Sequence, residues 1–338
     1  MERSCENIYS AASYRYNEQT MRFNRCGNSG LTLPALSLGF WWNFGAIDPL
    51  EESKRKILKS FDNGIFCFDL ANNYGPPFGT AEETFGIIYD KNLKAYRQEL
   101  VVTTKAGYEM WDGPNGIGSS RKMLVTSLES SLKRMRLDYV DIFYSHRYDS
   151  STPLEETMLA LYDIIRQGKA IYVGLSNYPP DILKEAIAIL KELKVPCIIY
   201  QGRHNLFSRE CEEDIIPLIK DLGIGYTPFS PLAKGVLTDK YIAGIPHDSR
   251  AFLGKHFMEI ELSEKRMTAV KQLNEIALAR RQSLAQMSIS WLLAKSYVTS
   301  VIIVPRTIEQ LEDLLPAVFK TEFNDDETIL INSITEKS

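Results

Sequence analysis

Four side chains that can hold or move protons follow short apolar runs of this 338-residue chain. Asp69 lies near the end of IFCFDL, Tyr74 comes five residues later, Lys105 ends LVVTTK, and His146 ends YVDIFYSH. A phenol, with an unperturbed pKa of about 10, is a weak acid at neutral pH, but an adjacent ammonium favours the phenolate. We therefore expect Lys105 to lower the pKa of Tyr74, and Asp69 to keep Lys105 charged and oriented.

This set of side chains suits the protonation of a carbonyl oxygen that gains negative charge. Tyr74 would donate the proton, and His146 could hydrogen-bond the same oxygen and orient the substrate. General acid catalysis of this kind contributes about 100- to 10,000-fold in rate, or roughly 3–5 kcal/mol. Such a reaction needs a nucleophile other than water to attack the carbonyl carbon, and hydride fits this role. Taken singly, Lys105 or His146 could be a solvated strand end, and Asp69 a loop cap.

Eight short apolar runs must position these residues. Their interiors are almost continuously hydrophobic, which is typical of strands buried on both faces of a parallel sheet. They span residues 35–40, 65–70, 100–105, 139–146, 171–177, 197–201, 224–230 and 300–304. Segments whose apolar residues recur with helical spacing separate these runs, at residues 50–63, 80–90, 124–135, 154–167, 182–190, 211–221, 283–295 and 308–319.

This alternation of strands and helices favours an α/β fold, a (β/α)8 TIM barrel, over an open doubly wound sheet. No glycine-rich dinucleotide motif follows the first strand, which weakens the Rossmann alternative. Residues 21–34 predict an N-terminal β-hairpin. Residues 231–282 form a long insertion after strand seven, a length more typical of a functional cover than of a connection. We expect residues 1–20 to be a polar tail and 21–338 to be one barrel domain.

Composition narrows the class of protein further. Hydrophobic residues make up 44% of the chain and charged residues 24%, as in soluble globular proteins. The net charge of -4 provides no basic field, so we expect neither nucleic acid nor a membrane as a partner. No apolar stretch approaches the roughly 20 residues that span a bilayer. The five cysteines are odd in number and form no close pair, which argues against disulfide or zinc frameworks and favours the cytoplasm.

Several motifs resemble those of the aldo-keto reductases over about residues 21–320. They are FDLANNYG, VTTKAGY, LDYVDIFYSHR, IYVGLSNY and FSPLAKGVLTDKY. Asp69, Tyr74, Lys105 and His146 match the catalytic tetrad of that family. The stretches YGPPFGTAEETFG, GYEMWDGP and GIPHDSR are similar to the branch that contains bacterial L-glyceraldehyde 3-phosphate reductases and potassium-channel β-subunits. The resemblance implies reduction of aldehydes or ketones with NADPH, or with NADH.

The resemblance also implies where the cofactor binds. Ser176, Asn177 and Gln201 would hold the nicotinamide carboxamide. Phe229 would stack on the nicotinamide ring, although a core aromatic at the barrel mouth is the alternative. The remaining matches are pyrophosphate contacts and one arginine of the insertion, namely Ser230, Leu232, Lys240 and Arg250.

The segment 304–314 departs from the pattern of the family. Val-Pro-Arg stands at residues 304–306 where relatives have Gly-Ala-Ser, and Asp-Leu replaces Glu-Asn at 313–314, whereas Gln310 is retained. These positions normally bind the adenine ribose and its 2′-phosphate. Arg306 could bind that phosphate bidentately, or it could be a solvated residue at a helix start.

Substrate residues are also implied. Trp41 and Trp42, after the first strand, would line the substrate pocket or simply pack, and Arg147 would anchor a phosphate or cap its strand. Arg203-His204 replaces a more usual Ser-Tyr, which suggests a shifted substrate preference. A triose phosphate or methylglyoxal fits as a small carbonyl substrate. The alternative is an NADPH-binding sensor or partner subunit with slow turnover, and relatives in this branch form homo-oligomers of four or more chains.

Overall fold

The computed structural model describes residues 9–247, 252 and 262–336. Two strands form a small antiparallel sheet and eight form a parallel sheet. The strands are β1 (Phe23–Arg25), β2 (Thr32–Pro34), β3 (Leu36–Gly39), β4 (Cys67–Asp69), β5 (Val101–Ala106), β6 (Val140–Ser145), β7 (Ala170–Ser176), β8 (Cys197–Arg203), β9 (Gly225–Phe229) and β10 (Val301–Ile303).

The eight parallel strands form a nearly closed barrel. Strands β3 to β9 are neighbours in chain order, and β10 pairs with β3. On the other side of β10, Tyr226 of β9 forms a parallel bridge with Val298, and the Thr299 backbone N–H donates to the Tyr226 carbonyl at 2.8 Å. This nearly closed sheet, with helices between its strands, confirms the predicted (β/α)8 barrel.

The helices of the described residues largely follow the predicted periodicity. They are α1 (Leu50–Asp62), α2 (Thr80–Ile88), α3 (Arg121–Met135), α4 (Leu154–Arg166), α5 (Pro180–Glu192), α6 (Ile215–Asp221), α7 (Glu264–Ala279), α8 (Leu284–Leu293), α9 (Ile308–Leu314) and α10 (Asp325–Thr335). Local signals set several starts: Ser120 accepts from the Met123 N–H at α3, and Ser283 and Gln286 form a capping box at α8.

Three helical segments differ from the sequence-based prediction. Helix α7 lies inside the segment predicted as a long insertion, where no helix was expected, and it buries Val270 and Leu273 against the core. Helix α10 extends beyond the last predicted helix. Helix α6 begins four residues after the predicted start at 211, because a short 3-10 turn (Glu210–Glu212) precedes it. In each case the hydrophobic stripe is short or built partly from small residues.

The N-terminal segment contributes to the base of the barrel. Strands β1 and β2 pair as the predicted hairpin, with Phe23 opposite Pro34. Residues 9–20, part of the segment expected to be a polar tail, lie against the barrel. The Tyr9 hydroxyl donates to Asp62 at 2.7 Å at the end of α1, and Arg15 pairs with Glu99 at 2.6 Å. Within the described residues, no helix is long and apolar enough to cross a membrane.

Candidate active site

Three adjacent parallel strands bring the predicted acid–base residues to one end of the barrel. Asp69 is the last residue of β4 and lies opposite Thr103 of β5, while Lys105 of β5 lies opposite Tyr144 of β6. His146 directly follows β6. Because the carboxyl ends of all barrel strands meet at one mouth, these side chains converge there.

Asp69 and Lys105 form a buried ion pair. The Lys105 Nζ donates to Asp69 Oδ2 at 2.7 Å and to the Leu70 carbonyl at 2.6 Å. The second carboxylate oxygen of Asp69 accepts from Thr103 Oγ1 at 2.9 Å and from Gln201 Nε2 at 3.0 Å. Burial lowers the pKa of Lys105, and the charge of Asp69 opposes that shift. Both oxygens of the carboxylate are thus satisfied by side chains from two other strands, β5 and β8.

Tyr74 lies over this pair, in the loop between β4 and α2. The Lys105 Nζ is 5.0 Å from the centroid of the Tyr74 ring. Burial and the charge of Asp69 raise the pKa of Tyr74 well above its usual value. The predicted lowering by Lys105 is therefore wrong for this arrangement. The ammonium is held by Asp69 and the Leu70 carbonyl and meets the ring face, so its effect does not offset burial.

His146 is buried and uncharged. The Asn177 side-chain amide donates to its carbonyl at 3.1 Å, and its ring centroid lies 4.6 Å from that of Tyr108. Burial, together with the charges of Lys105 and Arg147, lowers the pKa of His146 well below 6.5. Its Nδ1 is buried without a hydrogen-bond partner among the described residues. A ligand oxygen is the kind of group that satisfies such an atom.

Aromatic residues enclose the mouth beside the acid–base group. The ring of Trp41 lies 5.0 Å from Tyr74 and 5.2 Å from Trp42, between centroids. Trp42 has a φ of 71°, a left-handed conformation that bulky residues rarely adopt and that is often found at functional sites. Tyr108 was not predicted as a site residue, although its place three residues after Lys105 was a usable signal. The Arg147 guanidinium lies 5.4 Å from the Tyr108 ring centroid.

The predicted nicotinamide-binding residues line the other side of the mouth. Ser176 lies opposite Gln201 in the β7–β8 register, Asn177 follows β7, and half-buried Phe229 ends β9. Asn177 and Ser230 both have left-handed backbones, with φ of 55° and 54°. Polar amide and hydroxyl groups beside one partly exposed ring fit a flat heteroaromatic ring that carries a carboxamide.

The other predicted cofactor residues that the structure describes lie in the loops after β9 and β10 and in α9. The Leu232 carbonyl accepts from the Gly235 N–H at 2.8 Å, and Lys240 lies 5.7 Å from the Tyr241 ring centroid. At the start of α9, the Arg306 backbone N–H donates to Gln310 Oε1 at 2.8 Å. Arg250 lies outside the described residues. Direct hydrogen bonds thus join Gln201 to Asp69 and Asn177 to His146. The remaining candidate cofactor residues belong to separate segments of the chain.

Comparison with known proteins gives this barrel a class and a family. The parallel barrel, with acid–base residues at the carboxyl ends of its strands, has the arrangement of a barrel enzyme. The model of the Aldo/keto reductase family matches residues 35–336, and the chain belongs to this family. It is an oxidoreductase enzyme, and members of its family generally use NAD(P)H. The predicted family and enzyme class are confirmed.

The curated relatives cover most of the chain. L-glyceraldehyde 3-phosphate reductase from Escherichia coli strain K12 is 46% identical over 330 residues, which is 96% of this chain and 95% of the relative. A probable voltage-gated potassium channel subunit beta from Oryza sativa subsp. japonica is 39% identical over 289 residues, 83% of this chain and 86% of the relative. The Arabidopsis thaliana counterpart is 37% identical over 305 residues, 88% of this chain and 91% of the relative.

Proposed function

We propose that this protein is an NADPH-dependent reductase of short aldehydes and ketones, with Tyr74 as its proton donor. The buried Asp69–Lys105 pair, at 2.7 Å, directly beneath Tyr74 and beside His146, is the observation that carries the proposal. The 46% identity to a protein named L-glyceraldehyde 3-phosphate reductase supports a triose phosphate as substrate. Methylglyoxal is a second small carbonyl compound of the same class.

The geometry supports a defined role for each residue. Bound NADPH would supply hydride to the carbonyl carbon. The raised pKa keeps Tyr74 protonated at neutral pH, and an alkoxide is a stronger base than a phenolate, so Tyr74 can protonate the developing oxyanion. Neutral His146 donates a hydrogen bond to the same oxygen and orients it. The Lys105 ammonium stabilises the phenolate that proton transfer leaves.

In this proposal the cofactor would bind along the side of the mouth formed by β7 to β10. Ser176, Asn177 and Gln201 would hold the carboxamide, and Phe229 would stack on the ring. Because Gln201 Nε2 donates to Asp69, its side-chain oxygen would be the atom that meets the cofactor. The phosphate and adenosine contacts would come from Ser230, Leu232, Lys240, Arg250, Arg306 and Gln310. NADPH is preferred over NADH in this proposal because Arg306 offers a guanidinium for the 2′-phosphate.

Substrate recognition would use the aromatic side of the mouth. Trp41 and Trp42 would form an apolar wall beside Tyr74, which suits a short carbon chain. Arg147 would bind the phosphate of a triose phosphate, because a guanidinium matches phosphate geometry. Its position next to His146 would place that phosphate close to the reacting carbonyl.

The decisive experiment is NADPH oxidation by the purified protein with glyceraldehyde 3-phosphate, methylglyoxal and other short aldehydes. Tyr74→Phe should lower turnover by at least about 100-fold. Cofactor affinity, read from protein fluorescence quenching, should stay the same. Tyr14→Phe, the same change at an exposed tyrosine, is the matched control. Equal turnover of Tyr74→Phe and the parent protein would exclude Tyr74 as the proton donor.

A second candidate is an NADPH-binding sensor or partner subunit with slow turnover. The 39% identity to a probable potassium channel subunit beta favours it. Tight NADPH binding without oxidation by any aldehyde of the panel would support this candidate instead.

Both candidates include a homo-oligomer of four or more chains, and light scattering tests this oligomeric state. The free thiols of the described cysteines suit a reducing cytoplasm.

A further inference from the structure

A buried carboxylate lies on the outer side of the barrel, one helical turn after the loop that carries Tyr74. Glu82 is in the first turn of α2 and is 0% exposed. Its Oε2 accepts a hydrogen bond from Arg134 Nε on α3 at 2.8 Å, and the terminal nitrogen of the same guanidinium lies within ion-pair distance of Oε2, also at 2.8 Å. Its Oε1 accepts from Thr104 Oγ1 on β5 at 2.5 Å. The proposed reaction uses none of these three side chains.

The start of α2 is bonded directly to the backbone of Tyr74. The Tyr74 carbonyl accepts from the Gly79 N–H at 3.1 Å and from the Ala81 N–H at 3.3 Å. Gly79 has a φ of 88°, and a Cβ there would lie 3.0 Å from the Arg134 side chain. Arg134 therefore packs over the end of the Tyr74 loop while it holds Glu82. Any shift of α2 relative to α3 would move Tyr74 with it.

The same carboxylate is tied to the strand that carries Lys105. Thr104 and Lys105 are consecutive on β5, so their side chains point to opposite faces of the sheet. Lys105 points into the barrel toward Asp69, and Thr104 points out toward Glu82. Glu82 thus joins the Tyr74 loop, through α2, to the strand position adjacent to the ammonium.

A close helix crossing stiffens this connection. A Cβ on Gly86 of α2 would lie 2.1 Å from the Arg134 carbonyl oxygen, so the two helices meet backbone to backbone. Helix α3 is itself tied to the segment after β4, because Asn72 Nδ2 donates to Ser127 Oγ at 3.1 Å. Glu82 is therefore part of a rigid frame around the Tyr74 loop.

We propose that Glu82 is a positioning residue for Tyr74. Its ion pair with Arg134 and its hydrogen bond from Thr104 set the distance between the Tyr74 hydroxyl and the reacting oxygen. A buried ion pair is often no more stabilising than well-packed apolar residues, and its directional bonds define one arrangement. A misplacement of about 1 Å can lower a rate by about 100-fold. The inference rests on the proposed role of Tyr74.

The test compares Glu82→Gln with Glu83→Gln. Both changes remove one negative charge from the same turn of α2, but Glu83 is exposed. For Glu82→Gln we expect the single-turnover rate of NADPH oxidation to fall by about tenfold or more, with the NADPH Kd and the aldehyde KM changed less than about threefold. Glu83→Gln should match the parent protein. Thr104→Val, which keeps the charge pair, should lower the rate in the same direction by a smaller factor.

A double variant separates positioning from general destabilisation. In the Tyr74→Phe background, Glu82→Gln should change the residual rate by less than about twofold, because the group that it positions is absent. A full tenfold loss in that background would overturn the proposal, as would unchanged rates in folded Glu82→Gln and Thr104→Val proteins. Full activity of Tyr74→Phe alone would instead contradict the proposed proton donor, so the two failures are distinct. Thermal unfolding midpoints confirm that each rate is measured on folded protein.

Discussion

The two sides of the barrel mouth differ in the burial and the charge of their side chains. On the side of β4 to β6, the charged groups are buried and held by direct hydrogen bonds, with Asp69 bonded by Lys105, Thr103 and Gln201. On the side of β7 to β10, the candidate cofactor residues are mostly uncharged, and Phe229 and Arg306 remain partly or fully exposed. The first side is a buried cluster of charged side chains, whereas the second combines the buried Ser176 and Gln201 with more exposed residues.

This difference follows from what each side would do. Proton transfer depends on the relative positions and charges of a few atoms, which a low-dielectric interior strengthens and holds in place. A large cofactor is bound by many weak contacts that need accessible surface. The two sides meet where Gln201 of β8 donates to Asp69 of β4. We therefore expect substitutions on the first side to change both stability and rate, and those on the second to change affinity.

The largest effect should come from Asp69→Asn. It leaves the Lys105 ammonium buried without its carboxylate, so the free energy of unfolding should fall by about 3–5 kcal/mol. Turnover should fall by at least about 100-fold because Lys105 is no longer held under Tyr74. Denaturant unfolding and NADPH oxidation measure both quantities. Asp90→Asn, which breaks exposed pairs with Lys94 and Arg136, is the control and should change neither by a comparable amount. If Asp69→Asn were as stable as the parent protein, the expectation that substitutions on the β4 to β6 side change stability would be wrong.

A smaller effect should appear in the pH dependence of stability through His146. Its pKa in the folded protein lies well below 6.5, so below pH 6.5 the unfolded chain binds a proton that the folded protein does not. His146 therefore makes stability fall with falling pH, by up to about 1.4 kcal/mol per pH unit. His146→Gln should flatten the curve of unfolding free energy between pH 6.5 and about 5. Parallel curves for the two proteins would show that His146 is not a buried neutral group.

The smallest effect should come from Arg306→Ala on the second side. If its guanidinium binds the 2′-phosphate, NADPH affinity should fall by about tenfold, or about 1.4 kcal/mol, while NADH affinity stays constant. The unfolding midpoint should not change, because Arg306 is exposed. Arg166→Ala, at an exposed arginine on α4, is the matched control for lost positive charge. An unchanged ratio of NADPH to NADH affinity would rule out the phosphate role.

Local patterns predicted the elements where the contrast between apolar and polar positions was strong. The runs that became β5 and β6 are buried at every position, so their near-continuous apolar sequence was informative. Helix α7 was missed because two of its core contacts are the small residues Ala269 and Ala277. Helix α10 was missed because only Ile331 and Ile334 of its residues are buried. Weak stripes of this kind become helices when a neighbouring surface covers them.

The sequence by itself determined which residues stand at the strand ends. Strand direction in a parallel barrel is the same for every strand, so a polar residue that ends an apolar run must reach the mouth. The charge state of Tyr74 and the partner of Glu82 were decided only by the tertiary structure. Burial and through-space distance set a pKa, and Arg134 lies 52 residues from Glu82 in the chain. Such quantities depend on how helices and strands pack, which no local spacing encodes.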